Sequence, residues 1–167
     1  MKVIFLDFDG VLNSAQSACF WHHKRDQAKW ENEMYASWTG SLKEYIAQEF
    51  DPIAMSNVEE LIRLVPDLKI VVSSTWRLGE TVESLQKILY PSKLMADAII
   101  GITPAFRDTS RGLEIQDWLD KHPEVEKFAI IDDDNDMEHL TKNLVRTNGL
   151  HGFQYKDMIK AKKILTK

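Results

Sequence analysis

The feature of the sequence that restricts its fold most is an apolar run that ends abruptly in acidic residues. Residues 3–6 are continuously hydrophobic and contain β-branched side chains, which is typical of a buried strand. Asp7, Asp9 and Gly10 follow at once. Side chains two positions apart on an extended chain point the same way, so Asp7 and Asp9 can face one site while Gly10 lets the backbone turn. Two such carboxylates repel each other unless cations or N–H groups hold them ionised, which favours a divalent metal.

Length and composition are those of an ordinary globular domain. We predict a single domain over residues 1–167, because domains commonly have about 100 to 200 residues. The net charge of −5 disfavours a surface coated with basic residues, although it leaves room for a local basic groove. No apolar run reaches the length of a membrane span and the charged start is unlike a signal peptide, so we expect a cytoplasmic protein without a membrane partner. The single cysteine, Cys19, cannot form an internal disulfide.

Further apolar runs alternate with helical patterns along the rest of the chain. The predicted strands are at residues 68–72, 98–102 and 128–131, with a short edge strand at 144–147. This alternation predicts the α/β class, as a Rossmann-like three-layer sandwich with a mostly parallel sheet and helices on both faces. A capping box at Ser56 and Glu59 predicts a helix start there. A lysine-rich terminal helix is expected over residues 155–167, with Met158, Ile159 and Ile164 facing inward.

Polar side chains follow two of the later strands where each strand ends. Ser73 and Ser74 come directly after residues 68–72, and hydroxyls before a turn into a helix can donate to a phosphate oxygen. The run after residues 128–131 contains four carboxylates, Asp132, Asp133, Asp134 and Asp136. Such a run is costly without a cation, and its oxygen ligands suit Mg²⁺. In open α/β sheets the carboxyl ends of parallel strands converge on one crevice, so these groups should meet.

The first of these motifs resembles that of the haloacid-dehalogenase-like (HAD) phosphatases. It consists of the apolar strand followed by Asp7, Phe8, Asp9 and Gly10 and then by Val11, Leu12 and Asn13. The resemblance implies a HAD-like fold in which Asp7 is the nucleophile that forms an aspartyl-phosphate. It also implies that Asp9 is the general acid/base, which protonates the leaving oxygen and later takes a proton from water.

The second motif of that family is a Ser or Thr that closes an apolar strand. Ser73 is similar to it, and Ser74 is the alternative one residue later; the serines could also simply cap the following helix. Arg77 resembles an arginine that some nucleic-acid end-processing members carry after this motif. It is a candidate second contact for the substrate phosphate, and its alternative interpretation is a surface helix residue.

The third motif is a Lys or Arg near a helix start, where it neutralises the phosphoryl group and the nucleophile. Arg111 is similar to it, with Arg107 and Lys93 as alternatives. A cation at this position requires an anion, because a helix N-terminus already carries partial positive charge.

The fourth motif, an apolar strand followed by an acidic pair and a further acid, resembles the run that begins at Asp132. The resemblance implies Mg²⁺ bound by Asp7, the backbone carbonyl of Asp9, and Asp132 or Asp133. Asp136 would orient a metal-bound water, and Asp134 would cap the following turn.

Residues 14–51 are more than a plain connection needs and predict a small helical cap or flap after the first strand. This insertion contains Trp21, Trp30 and Trp38 and the basic run His22, His23, Lys24 and Arg25. The aromatic side chains could stack on a base while the basic run meets phosphates, or the tryptophans could pack the flap onto the body.

The compact size and the Ser-Ser-Thr-Trp-Arg run are similar to the HAD modules of RNA repair proteins and of polynucleotide kinase-phosphatases. We therefore expect a Mg²⁺-dependent phosphomonoesterase whose substrate is a nucleotide or a nucleic-acid terminal phosphate. The alternatives are a phosphatase of a phosphorylated small molecule and a non-catalytic HAD-like binding scaffold.

Overall fold

A single parallel sheet organises the part of the chain that the computed structural model describes, residues 1–28 and 50–167. Its strands are β1 (Lys2–Leu6), β2 (Leu68–Val72), β3 (Ile99–Ile102), β4 (Lys127–Asp132) and β5 (Leu144–Arg146). They lie in the order β3-β2-β1-β4-β5, and every neighbouring pair is parallel. The first strand of the chain is therefore the centre of the sheet. The predicted α/β class and mostly parallel sheet are confirmed.

Helices cover both faces of the sheet. The α-helices are α1 (Ala15–Ala28), α2 (Pro52–Leu64), α3 (Val82–Ile88), α4 (Lys93–Ala98), α5 (Arg111–Asp120) and α6 (Tyr155–Thr166). Short 3-10 helices lie at Thr75–Arg77 and Glu138–Asn143. None of the helices described here has the length and hydrophobicity that a membrane span requires.

The alternation of β1 side chains divides the core into two layers. Ile4 and Leu6 belong to the larger cluster, which α2, α3, α4 and α6 cover. Val3 and Phe5 face the other side, where the Phe5 ring meets Trp118 of α5 edge to face at 5.5 Å. All four side chains are fully buried, so β1 is hydrophobic on both faces, as a central parallel strand must be.

Two local predictions differ from the structure. Helix α2 begins at Pro52 rather than at Ser56, because the Asp51 carboxylate accepts a hydrogen bond from the Ile53 backbone at 2.8 Å and proline is favourable in the first turn. In α6, Ile164 packs against the core as predicted, but Ile159 is exposed, and the buried stripe consists of Met158, Ala161 and Leu165. Those three positions follow the helical period, whereas residue 159 is rotated by about 100° from residue 158.

The predicted insertion is described only at its two ends. Helix α1 is joined to the body by backbone hydrogen bonds from Ala15 to the Gly149 carbonyl and from Gln16 to the Leu150 carbonyl. The roles suggested for Trp30, Trp38 and the side chains of residues 22–25 lie outside the described part of the chain.

Candidate active site

The carboxyl ends of the three middle strands bring the predicted motifs to one edge of the sheet. The backbone N–H of Asp7 donates to the Ile131 carbonyl at 3.0 Å, and that of Ser73 donates to the Leu6 carbonyl at 3.1 Å. The strand pairing therefore continues one residue beyond β1 and β2 into the predicted site. Asp7 lies at the centre of this edge, between the end of β2 and the end of β4.

Three carboxylates meet at this edge. Asp7, Asp132 and Asp133 each place a carboxylate oxygen within 4.8 Å of the others. Burial raises the pKa of Asp132 to about 7, and Asp7 adds to this while Arg111 opposes it. Burial, followed by the charge of Asp7, also raises the pKa of Asp133. The cluster is short of positive charge, and its hard oxygen donors fit a cation such as Mg²⁺.

Arg111 supplies one fixed positive charge to these acids. Its Nη1 atom lies 2.9 Å from Asp7 Oδ1 and 2.9 Å from Asp132 Oδ2. Burial lowers the pKa of Arg111, but Asp7 and Asp132 together outweigh burial and raise it. The two alternatives have other surroundings: Arg107 is exposed, and the exposed Lys93 pairs with Asp97 at 2.8 Å.

The N-terminus of α5, which carries Arg111, is held by the loop after β4. Asp136 Oδ2 accepts a hydrogen bond from the Arg111 backbone at 3.0 Å, and the Asp136 carbonyl accepts from Gly112 at 3.1 Å. A Cβ atom on Gly112 would collide with the backbone of Met137. Asp136 Oδ2 thus caps the helix, a contact that the sequence did not predict, and the acidic cluster found among the described residues does not include Asp136. Its predicted role in orienting a metal-bound water stays a prediction.

Two glycines make room for the side chain of Asp133. Gly10 has φ +71°, and a Cβ atom there would overlap the Asp133 carboxylate. A Cβ atom on Gly149 would lie 2.7 Å from Asp133 Oδ2. The end of β5 holds the loops after β1 and β4 in place. The hydroxyl of Thr147, which follows β5, donates to the Gly10 carbonyl at 2.9 Å, and Arg146 Nε donates to the Asp133 carbonyl at 3.0 Å.

The two candidate serines are both fully buried but differ in their hydrogen bonds. Ser74 Oγ accepts from the Trp76 backbone N–H at 3.3 Å and so caps the 3-10 helix. Ser73 Oγ has no hydrogen-bond partner within the described part of the chain. A buried hydroxyl without a partner is uncommon. Ser73 therefore offers the hydroxyl that a bound phosphate oxygen could use, and Ser74 has a local role.

Arg77 differs from both expectations that its sequence context suggested. It is 5% exposed. Its guanidinium donates hydrogen bonds to the carbonyl oxygens of Ser73, Ser74, Thr103 and Pro104 and to the carboxylate of Glu114. These bonds match the five N–H donors of a guanidinium. Arg77 is thus a buried connector of the loops after β2 and β3 to α5, with no donor left for a phosphate, and sequence reasoning missed its partner Glu114.

Asp9 lies beside the three-carboxylate cluster and not within it. Its side chain is exposed. Both of its oxygens accept hydrogen bonds: Oδ1 from Asn13 Nδ2 at 3.2 Å and Oδ2 from Trp76 Nε1 at 3.0 Å. Sequence reasoning missed these two donors, because neither contact follows from local sequence spacing alone.

Comparison with known protein families decides which fold family this site belongs to. A family model described as the HAD domain in Swiss Army Knife RNA repair proteins matches residues 3–158. The chain belongs to this family. The matched range of this HAD domain begins in β1 and includes every site residue described above. No curated protein sequence and no solved structure matches this chain significantly. Membership supports a HAD-type hydrolase or phosphatase function in general terms, and it confirms the predicted resemblance to RNA repair modules.

The glycine beside Asp133 in the HAD domain gives a first testable prediction. Gly10→Ala forces an L-residue into a left-handed φ, which costs about 1–2 kcal/mol, and also displaces the Asp133 carboxylate. Gly79 is the matched control, because it has φ +76° and open space around its Cβ position. We expect Gly10→Ala to lower the free energy of unfolding by about 1–3 kcal/mol more than Gly79→Ala does, owing to the overpacking. Urea denaturation of both variants measures this difference, and equal losses would contradict the close packing of Asp133 against Gly10.

Proposed function

We propose that this HAD domain is a Mg²⁺-dependent phosphomonoesterase that works through an aspartyl-phosphate on Asp7. The observation that carries the proposal is the position of Asp7 at the end of the central strand, with its Oδ1 atom 2.9 Å from Arg111 and its carboxylate beside Asp132 and Asp133. A nucleophilic carboxylate needs neighbours that attract and neutralise a phosphoryl group, and this edge of the sheet offers them.

The metal would be held by Asp7, Asp132 and Asp133, together with the backbone carbonyl of Asp9. Bound there, Mg²⁺ supplies a positive centre for the phosphoryl oxygens. Arg111 supplies a second fixed charge, and Ser73 Oγ supplies a neutral donor. Phosphoryl transfer depends mainly on positioning and electrostatics, which these groups are suited to provide.

The proposed reaction has two steps that use the same two aspartates. In the first, a carboxylate oxygen of Asp7 forms a bond to phosphorus, the bond from phosphorus to the leaving oxygen breaks, and Asp9 gives its proton to that oxygen. In the second, Asp9 takes a proton from a water whose oxygen attacks the phosphorus. The bond between Asp7 and phosphorus then breaks, which releases inorganic phosphate and restores both side chains.

A nucleotide or a nucleic-acid terminal phosphate is the proposed substrate. The support is the family description, which names RNA repair proteins. The net charge of −5 is compatible with an end-specific enzyme, because recognition of one terminus needs far fewer cationic contacts than binding along a nucleic-acid tract.

Phosphate release from a substrate panel tests this function. The panel contains an aryl phosphate, mononucleotides, sugar phosphates, and oligonucleotides phosphorylated at the 3′ or the 5′ end, each with Mg²⁺ or with a chelator. We expect turnover that needs Mg²⁺ and is fastest with an oligonucleotide end. Faster turnover of sugar phosphates would instead favour a metabolite phosphatase. No Mg²⁺-dependent release from any substrate would refute the enzyme proposal and favour a binding scaffold.

A further inference from the structure

We propose that Trp76 is a positioning residue that orients Asp9 for proton transfer to and from the substrate. This inference rests on the proposed function, because it concerns the residue that is proposed to act as general acid and base. The inference gives a specific task to Trp76, which lies in the sequence between Ser73, the candidate phosphate-binding serine, and the buried Arg77.

The two hydrogen bonds on Asp9 define its orientation. Trp76 Nε1 donates to Oδ2 at 3.0 Å, and Asn13 Nδ2 donates to Oδ1 at 3.2 Å. An exposed aspartate with no such bonds samples several rotamers, and one donor on each oxygen selects a single orientation of the carboxyl plane. The indole N–H only donates, so Trp76 orients the carboxylate without competing for the proton in transit.

Aromatic packing holds the indole in place. The Trp76 ring lies 5.5 Å from the Phe8 ring and 5.4 Å from the Phe50 ring, measured between centroids, and the two phenylalanine rings are 5.7 Å apart. Phe8 and Phe50 are both buried. Such tilted and edge-to-face contacts favour one arrangement of the rings. Because Phe8 directly precedes Asp9 in the sequence, the same cluster fixes the indole beside Asp9.

The backbone under Trp76 is held as firmly as its ring. Ser74 caps the 3-10 helix that contains Trp76, and the adjacent Arg77 makes five hydrogen bonds to surrounding groups. The donor that orients Asp9 is therefore fixed from two sides, as a positioning group must be.

This orientation leaves room for the proton that Asp9 transfers. Each carboxylate oxygen has two acceptor positions, so one hydrogen bond per oxygen leaves a further position on each. In the first step that position carries the proton given to the leaving oxygen. In the second step the same position accepts a proton from water. The benefit depends on the leaving group, because an alkoxide needs a proton to leave whereas a nitrophenolate does not.

The test compares two substrates in the full chain. Trp76→Phe keeps an aromatic ring in the cluster and removes the N–H donor, at the cost of a smaller ring. We expect its kcat/KM for a 3′-phosphorylated oligonucleotide to fall about 10- to 100-fold, a fraction of the 10²- to 10⁴-fold that general acid–base catalysis contributes. For p-nitrophenyl phosphate we expect a fall of no more than about threefold, because the proton matters little there. If Trp76→Phe fails to fold, Asn13→Ala takes its place in the test. It removes the other donor to Asp9 and should give the same selective pattern.

Two further variants separate positioning from packing. Asp9→Asn removes the acid itself. Its kcat/KM should also fall selectively for the oligonucleotide, an alkyl phosphate, and by a larger factor than in Trp76→Phe. Trp118→Phe changes a tryptophan in the apolar cluster on the other face of the sheet and should leave the ratio of the two kcat/KM values unchanged. Melting temperatures of all variants report whether each one folds.

The possible failures can be told apart. Equal losses for both substrates in Trp76→Phe, or no loss for either, would overturn the positioning role while leaving the proposed function standing. An Asp9→Asn variant without any leaving-group selectivity would overturn the acid role of Asp9 and the inference with it. A wild-type chain that releases phosphate from neither substrate would refute the proposed function first.

Discussion

Replacing Asp7 with Asn is expected to reduce phosphate release by about 10³-fold or more, because an amide oxygen is a poor nucleophile and loss of a nucleophile removes the covalent route. The two side chains have nearly the same shape, and the backbone N–H of Asp7 keeps its 3.0 Å bond to the Ile131 carbonyl. We therefore expect the variant to fold. Steady-state phosphate release at saturating Mg²⁺ measures the loss, and the melting temperature reports the folded state.

Asp134→Asn is the matched control for this change. Asp134 belongs to the same acidic run, but it is exposed and its Oδ1 atom accepts from the Asn135 backbone at 2.7 Å, a bond that an amide oxygen can keep. We expect it to retain turnover. Mass spectrometry of the acid-quenched wild type should find phosphate on the peptide that contains Asp7. Turnover that survives in a folded Asp7→Asn variant, or phosphate on another aspartate, would refute the nucleophile assignment.

The positions of the strands could be predicted closely, because each strand is recognised from its own short stretch of sequence. The run at 68–72 is the observed β2, and the run at 128–131 lies within β4. A continuous apolar stretch identifies a strand buried on both faces without any information from elsewhere in the chain. Once several such strands alternate with helices, parallel pairing follows. The convergence of Asp7 with Asp132 and Asp133 could then be expected from topology alone.

The roles of three site residues could not be predicted, because each depends on a partner that is distant in sequence. Arg77 looked like a phosphate contact, yet Glu114 and four carbonyl groups use its donors. Asp136 was predicted to orient a metal-bound water, and its contact with the start of α5 through one carboxylate oxygen was not foreseen. Trp76 had no predicted role of its own, yet its N–H reaches Asp9 across 67 positions of the chain. Local sequence gives the residue type, whereas tertiary contacts decide which atom is free.

The alternatives that the sequence left open are also distinguished by their tertiary contacts. Ser73 and Ser74 are neighbours of identical type, and only their hydrogen bonds distinguish them. Arg107 precedes α5 and Arg111 is its first residue, and only the tertiary fold brings Arg111 to Asp7 and Asp132. The assignment of Arg111 as the phosphoryl-neutralising cation is the proposal that most needs its own test.

Arg111→Gln is expected to lower kcat/KM about 10²- to 10³-fold, the range found when one preorganised donor is removed from a developing charge. The variant loses the positive charge that lies 2.9 Å from both Asp7 and Asp132. Arg111→Lys keeps a charge near that place and should retain more activity, although a single ammonium does not reproduce the planar guanidinium. Phosphate release at saturating Mg²⁺ ranks the three proteins.

Arg107→Gln is the control for the Arg111 variants, because Arg107 is a cation of the same type that precedes the same helix but is exposed. We expect it to keep wild-type turnover. Arg111→Gln also leaves three acids without their cation, so its melting temperature without Mg²⁺ should fall, and Mg²⁺ should restore it in part because the metal binds the folded state. A folded Arg111→Gln variant with full activity, or an Arg107→Gln variant with the same loss, would show that the phosphoryl charge is neutralised elsewhere.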